Sequence, residues 1–179
     1  MSLAGLEQPD LVTTRLRLRR LVPADAALVH LYASDARVAT MTTSIPHPNP
    51  EGASEAFVQR VTGPGARETV WALDTGEAGG NGLIGLISVR PSIDDAAELG
   101  YWVAPAFWNA GYASEAVEAV VGEMVRQGWD ALTAEVFQDN VASARVLTRA
   151  GFAYEGVGEA YSVARGATAP TFRYRRDLR

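Results

Sequence analysis

The chain reads as one α+β domain: a mixed, mostly antiparallel sheet of about seven strands flanked by helices. Three observations lead there. Short segments of strand character are separated by turns rich in Gly and Pro. An apolar strand, Glu98-Leu99-Gly100-Tyr101-Trp102-Val103, runs through a turn of small residues into a long amphipathic helix. A second strand-and-helix unit over 131–149 follows, and the chain closes on an antiparallel pair. No internal repeat or linker divides it, so a single domain over 1–179 is expected, with residues 1–10 poorly ordered.

The elements follow in order. Residues 12–20 alternate, with Leu16 and Leu18 on one face and Arg15, Arg17 and Arg19 on a solvated one. Pro23 starts a helix through about Ser34, with Ala27, Leu28 and Leu31 along one side. The loop from Thr42 to Pro50 places prolines around His47, and a short helix over Ser54–Val61 stops at Gly63-Pro64-Gly65. Strands over 69–74 and 83–90 form a hairpin with a floppy tip at Gly76–Gly82. Pro91–Asp95 turn into a strand over 97–103. The helix of about 113–127 carries Ala113, Ala116, Val117, Val120, Val121, Met124 and Val125 at spacings of three and four. Residues 131–137 are a strand, Asn140 caps a helix over 141–149 that Gly151 closes, and 152–158 pairs with 171–178. Trp71 and Trp129 read as core.

Composition removes several function classes. A hydrophobic fraction of 47% and a charged fraction of 21% are those of an ordinary globular protein, and a net charge of −5 argues against a general nucleic-acid binder. All 16 basic residues are arginine. With no cysteine there is no disulfide, thiolate metal site or thiol nucleophile. His30 and His47 are the only histidines, so no metal site is expected. No apolar run reaches membrane-span length and no signal pattern opens the chain, so a cytoplasmic location and no membrane partner are expected.

The turn Trp108-Asn109-Ala110-Gly111-Tyr112-Ala113-Ser114 is the strongest chemical signal. Gly111 reaches backbone angles that other residues resist, and the small neighbours leave room. Unpaired N–H groups and the positive end of the helix dipole then converge on one spot, which suits a pyrophosphate. The same residues also suit a plain strand-to-helix loop. Rival phosphate motifs fail: a P-loop needs a lysine, and a dinucleotide fingerprint needs three glycines where only Gly111 stands.

Together with Gln138-Asp139-Asn140-Val141-Ala142-Ser143 and the later Gly151-Phe152, these stretches resemble the acetyl-CoA-binding core of the GNAT N-acetyltransferase superfamily, in its RimJ/RimL-like subgroup. Trp108, Gly111 and Ala113 occupy the places of the superfamily's phosphate-loop pattern, and Asn109 stands where the subgroup usually has glycine. The resemblance implies a central parallel pair that splays, with pantetheine between 98–103 and 131–137. It implies cofactor contacts from Trp102, Val103, Trp108, Asn109, Ala110, Gly111, Tyr112, Ala113, Ser114, Asn140 and Ser143. It puts Glu98 near the acceptor as base or water-ordering group, and His47 at the substrate mouth. Many relatives carry a tyrosine where this chain has Leu147, which leaves Ser143 as the candidate partner of the departing thiolate.

The implied activity is transfer of an acetyl group from acetyl-CoA to a primary amine, a protein N-terminus or small amine, by direct attack in a ternary complex. The implied partners are acetyl-CoA and the acceptor, with a homodimer compatible. Two other readings stay open at this point. One is an inactive acyl-CoA-binding module acting as a sensor or partner protein; the other is an interaction protein with no CoA site.

Overall fold

The computed structural model describes residues 7–76, 82–92 and 96–179. The chain opens with strands β1 (Leu11–Val12) and β2 (Arg17–Arg20), then helices α1 (Ala26–Ala33), α2 (Ala36–Ala39) and α3 (Ala53–Thr62). Strands β3 (Thr69–Asp74), β4 (Leu83–Pro91) and β5 (Ala96–Val103) lead into α4 (Tyr112–Arg126). Strand β6 (Ala131–Phe137), helix α5 (Val141–Arg149) and strands β7 (Ala153–Ser162) and β8 (Ala167–Asp177) complete it. The strands form one sheet of eight in the order β1-β2-β3-β4-β5-β6-β8-β7. Every neighbouring pair is antiparallel except β5–β6.

The helices cover both faces. On one face α4 and α5 bury Ala116, Val117, Val120, Met124 and Leu147 against Leu18, Trp71, Leu99 and Leu132. On the other, α1 and α3 bury Val29, Val58 and Val61 against Val70, Ala72 and Leu86. Trp71 and Trp129 are core residues, as expected.

The single strand expected over 12–20 is a hairpin. The Thr13 N–H donates to the Leu16 carbonyl, and its hydroxyl oxygen accepts from the Leu16 N–H at 2.9 Å, so β1 folds back with Leu11 opposite Leu18. The solvated arginine face also needs correction. Arg17 pairs with Asp10 near the surface, but Arg19 bonds Asp25, which is fully buried, at 2.8 and 2.9 Å, and Asp74 at 2.7 Å. This network ties β2, β3 and the turn into α1, and the Asp25 bonds push the Arg19 guanidinium further above its ordinary pKa despite burial. An unanticipated helix, α2, is one turn capped by the Asp35 side chain; it is too short to leave a periodic trace.

The closing pair is longer than 152–158 and 171–178. It pairs through to Ser162↔Ala167, because its tip docks on the loop after α2: the Val163 N–H donates to the Thr43 carbonyl and the Ser162 hydroxyl to the Thr42 carbonyl. Residues 7–10 are tied down, with the Gln8 amide on the Val70 carbonyl and the Trp71 indole on the Pro9 carbonyl. The expectations for residues 1–6, for the hairpin tip over 77–81 and for the turn over 93–95 lie outside the described residues.

Candidate active site

The central parallel pair is paired for only part of its length. Contacts run Ala96↔Ala131, Ala97↔Leu132 and Glu98↔Thr133, and then stop. Beyond them β5 keeps its ladder to β4 as far as Val103, and β6 keeps its ladder to β8 as far as Phe137. The facing inner edges of Leu99–Val103 and Ala134–Phe137 therefore have no strand partner. Strand β5 lies tight against β4 at this end. A Cβ at Gly85 on β4 would lie 2.3 Å from the Trp102 carbonyl oxygen and 2.9 Å from the Val103 Cα, so only glycine fits there.

A cavity of about 760 Å³ includes this gap. Its lining runs from Arg60, Glu68, Arg90 and Glu98 at one end to Asn140 and Ser143 at the other. Phe57, Trp102 and Phe137 contribute aromatic wall. Unpaired backbone donors along one wall, with ionisable groups at one end, suit an extended amide chain whose reactive carbonyl ends beside those groups.

The anion turn lies where β5 runs out. The Trp108 indole donates to the Val103 carbonyl at 2.6 Å and pins the turn to the strand end, so that carbonyl is already used. Asn109 and Gly111 both have left-handed backbone, with φ of 59° and 85°. Gly111 caps α4 and no side chain caps that helix, so the N–H groups of Tyr112, Ala113 and Ser114 are left for a ligand. Glu115 in this turn would repel an anion, but it is neutralised. It accepts from the Thr13 hydroxyl, the Arg15 N–H and the Arg15 guanidinium at 2.6, 2.8 and 2.8 Å. Burial works against its charge, yet these bonds hold its carboxyl below the usual range. Arg15 also donates to the Ala110 carbonyl and stacks 4.5 Å from the Tyr112 ring centroid.

At the start of α5, Asn140 caps the helix by accepting from the Ser143 N–H at 3.2 Å. The Ser143 carbonyl accepts from the Tyr101 hydroxyl at 3.2 Å, which links β5 to α5 across the cleft. Burial pushes the Tyr101 phenol up, so it stays a donor. Leu147 is fully buried in the core. At the other end the Arg90 guanidinium holds Glu98 bidentately, at 2.7 and 3.2 Å.

The expected site residues therefore divide. Glu98, Trp102, Asn140 and Ser143 line one cleft, and the 108–114 turn lies beyond the end of β5. His47 is exposed and does not line the cleft, although Ser44, Ile45, Pro46 and Asn49 around it do. Arg90 was legible in principle, since a hairpin between 83–90 and 97–103 puts it opposite Glu98. Arg15 and Tyr101 left no sequence signal of their own. Among the described residues no group of three or more His, Asp or Glu side chains is placed to hold a metal ion. No helix among them is long and apolar enough to cross a membrane.

Known proteins share this arrangement. Residues 15–153 match the model of the acetyltransferase (GNAT) domain. The chain is 32% identical over 180 residues to the uncharacterized N-acetyltransferase YoaA of Bacillus subtilis (strain 168), covering 93% of this chain and 95% of YoaA. It is 30% identical over 130 residues to the L-amino acid N-acetyltransferase AaaT of Escherichia coli (strain K12), covering 70% of this chain and 75% of AaaT. The fold is also that of RimL, a ribosomal L7/L12 α-N-protein acetyltransferase solved with coenzyme A, at TM-score 0.77 and 20% identity over 93% of this chain and 96% of that one. With the splayed pair, the anion turn and the domain match in one chain, this protein belongs to the GNAT acetyltransferase family and is an acetyl-CoA-dependent acetyltransferase.

Proposed function

We propose that the chain acetylates a primary amine by direct attack on the thioester of acetyl-CoA, with Glu98 taking the amine proton and Ser143 bonding the departing sulfur. The observation that carries this is the single cleft joining Glu98 to Ser143 through the open β5–β6 edge. The amine nitrogen forms its bond to the acetyl carbon as the carbon–sulfur bond breaks. The ammonium has by then passed one proton to Glu98, directly or through a water, and on to solvent; the second proton that the nitrogen sheds on becoming an amide goes to the departing thiolate or to solvent. Free N–H groups along the β5 edge suit the developing oxyanion, and the Ser143 hydroxyl suits the thiolate. Before the acceptor arrives Arg90 holds the Glu98 carboxylate at the cleft, and each carboxylate oxygen keeps a lone pair for the proton. The reading involves no acyl-enzyme: cysteine is absent and no serine sits beside a histidine in a recognisable nucleophile motif.

The test is a pH–rate profile for wild type and Glu98→Gln with one amine of known pKa. An α-amino group is largely protonated below about pH 7.7, so the enzyme must remove a proton there. Glu98→Gln is expected to depress turnover by about a hundredfold at low pH and progressively less as solvent supplies free amine. Parallel profiles would transfer the proton to bulk water. Acetyl-CoA binding with no turnover of any amine would favour an inactive binding module.

A further inference from the structure

The acceptor end of the cleft has its charges already closed into pairs. Arg90 holds Glu98 through two bonds, the shorter 2.7 Å, and Arg60 holds Glu68 at 2.8 Å. Further along, Glu135 accepts from the Thr171 hydroxyl and has Arg173 as its cross-strand partner. A simple monocationic amine reaching Glu98 must take it from Arg90 and leave that guanidinium without its anion, an exchange that gains little. An acceptor with a carboxylate beside its amine replaces both partners at once.

We propose that the acceptor is a free α-amino acid with an apolar side chain, its ammonium on Glu98 and its carboxylate on Arg90. The proposal rests on reading this cleft as the acetyl-transfer site. The geometry suits it: the two protein groups abut, and an α-amino acid carries its amine and carboxylate on a single carbon. The pair opens to admit both ligand groups and neither side chain has to find a distant partner. Arg90 supplies the forked donor that a carboxylate fits. The acceptor side chain then faces the cleft wall near Phe57, whose ring lies 5.3 Å from the guanidinium of Arg60, the partner of Glu68. A peptide N-terminus offers the amine but has an amide where the carboxylate should be, and leaves Arg90 unsatisfied.

The experiment uses the full chain and acetyl-CoA, with thiol release and product mass as readouts. The acceptors are L-leucine, L-leucinamide, 3-methylbutylamine, 1,4-diaminobutane and the peptide Leu-Gly-Gly. Leucine is expected to exceed the amide and the decarboxylated amine in kcat/KM by about tenfold or more. In Arg90→Gln the leucine-to-leucinamide ratio should fall by about tenfold, mostly through KM for leucine, and Arg90→Lys should recover part of it. Rates are compared per free amine and at high pH, where solvent supplies free amine to both acceptors, so that the more basic amine of leucine and any change in Glu98 drop out of that ratio. The ranking in wild type decides the matter even if the variants fail to fold. Equal or better use of leucinamide, the monoamine or the peptide overturns the proposal, as does an unchanged ratio in Arg90→Gln. Preference for the diamine overturns it in favour of a dication held by Glu98 and Glu135. Calorimetry with acetyl-CoA separates the two levels: turnover of another acceptor sinks only the amino-acid class, whereas acetyl-CoA binding without any turnover sinks the transfer reading as well.

Discussion

At the scale of single residues, the turn before α4 shows how little chain the proposed phosphate site requires. Two left-handed residues, Asn109 and Gly111, aim the first N–H groups of α4 outward. Arg15 cancels the one carboxylate that would oppose a guest. Asparagine tolerates that backbone better than most residues, so the departure from glycine at 109 leaves the turn intact. Gly111 has less latitude. A Cβ there would lie 3.3 Å from the Arg15 guanidinium, in a backbone region that L side chains rarely adopt. Gly111→Glu adds bulk and negative charge at the mouth of the helix. Its acetyl-CoA affinity by calorimetry should fall by about tenfold or more, with a stability cost near ~1 kcal/mol. An affinity equal to wild type would remove the turn from the binding site.

At the scale of elements, α5 combines a polar start with an apolar body. Asn140 caps it and Ser143 faces the cleft one turn on, while Leu147 packs into the core that α4 and the sheet share. The place where the resemblance implies a tyrosine is therefore filled by a packing residue, and the Tyr101 hydroxyl on the neighbouring strand donates to the Ser143 carbonyl. Leu147→Tyr should not restore a proton donor. The larger side chain has to enter a close-packed core, at a cost of about 1–3 kcal/mol in urea unfolding, and turnover should not rise. A stable variant with faster turnover would show that the site accepts the ring and uses its hydroxyl.

At the scale of the molecule, the β7–β8 turn meets the loop after α2 beside the cleft. Arg165, in the turn between β7 and β8, donates to the Thr40 carbonyl at 2.7 Å and to Asp139 at 3.0 Å, and lies 4.4 Å from the Phe137 ring centroid. The loop it holds supplies Met41, Thr42, Thr43 and Ser44 to the acceptor wall. Arg165→Ala should loosen that wall and leave the α4 turn untouched. A rise of about threefold to tenfold in acceptor KM is expected, with acetyl-CoA affinity by calorimetry within about twofold of wild type. Equal losses for both ligands would mean a general loosening of the fold and no local latch.

The sequence by itself determined the order of the major elements, the apolar stripe of α4, the cap at Asn140, and the glycine turn before α4. Each is local: helical periodicity, a capping oxygen or a left-handed residue acts within a few positions of itself. It also carried the family resemblance through the residues of the turn and of α5. Only the tertiary structure decided the rest. Arg19 looks solvated in an alternating strand until Asp25 and Asp74 arrive from other elements. The long β7–β8 hairpin depends on a loop more than a hundred positions earlier in the chain. The close fit of β5 on β4 depends on a glycine in the neighbouring strand, and the pairing of Glu98 with Arg90 on a register between two strands. Such contacts join residues whose separation along the chain carries no periodic trace, so their energy enters only when the sheet closes.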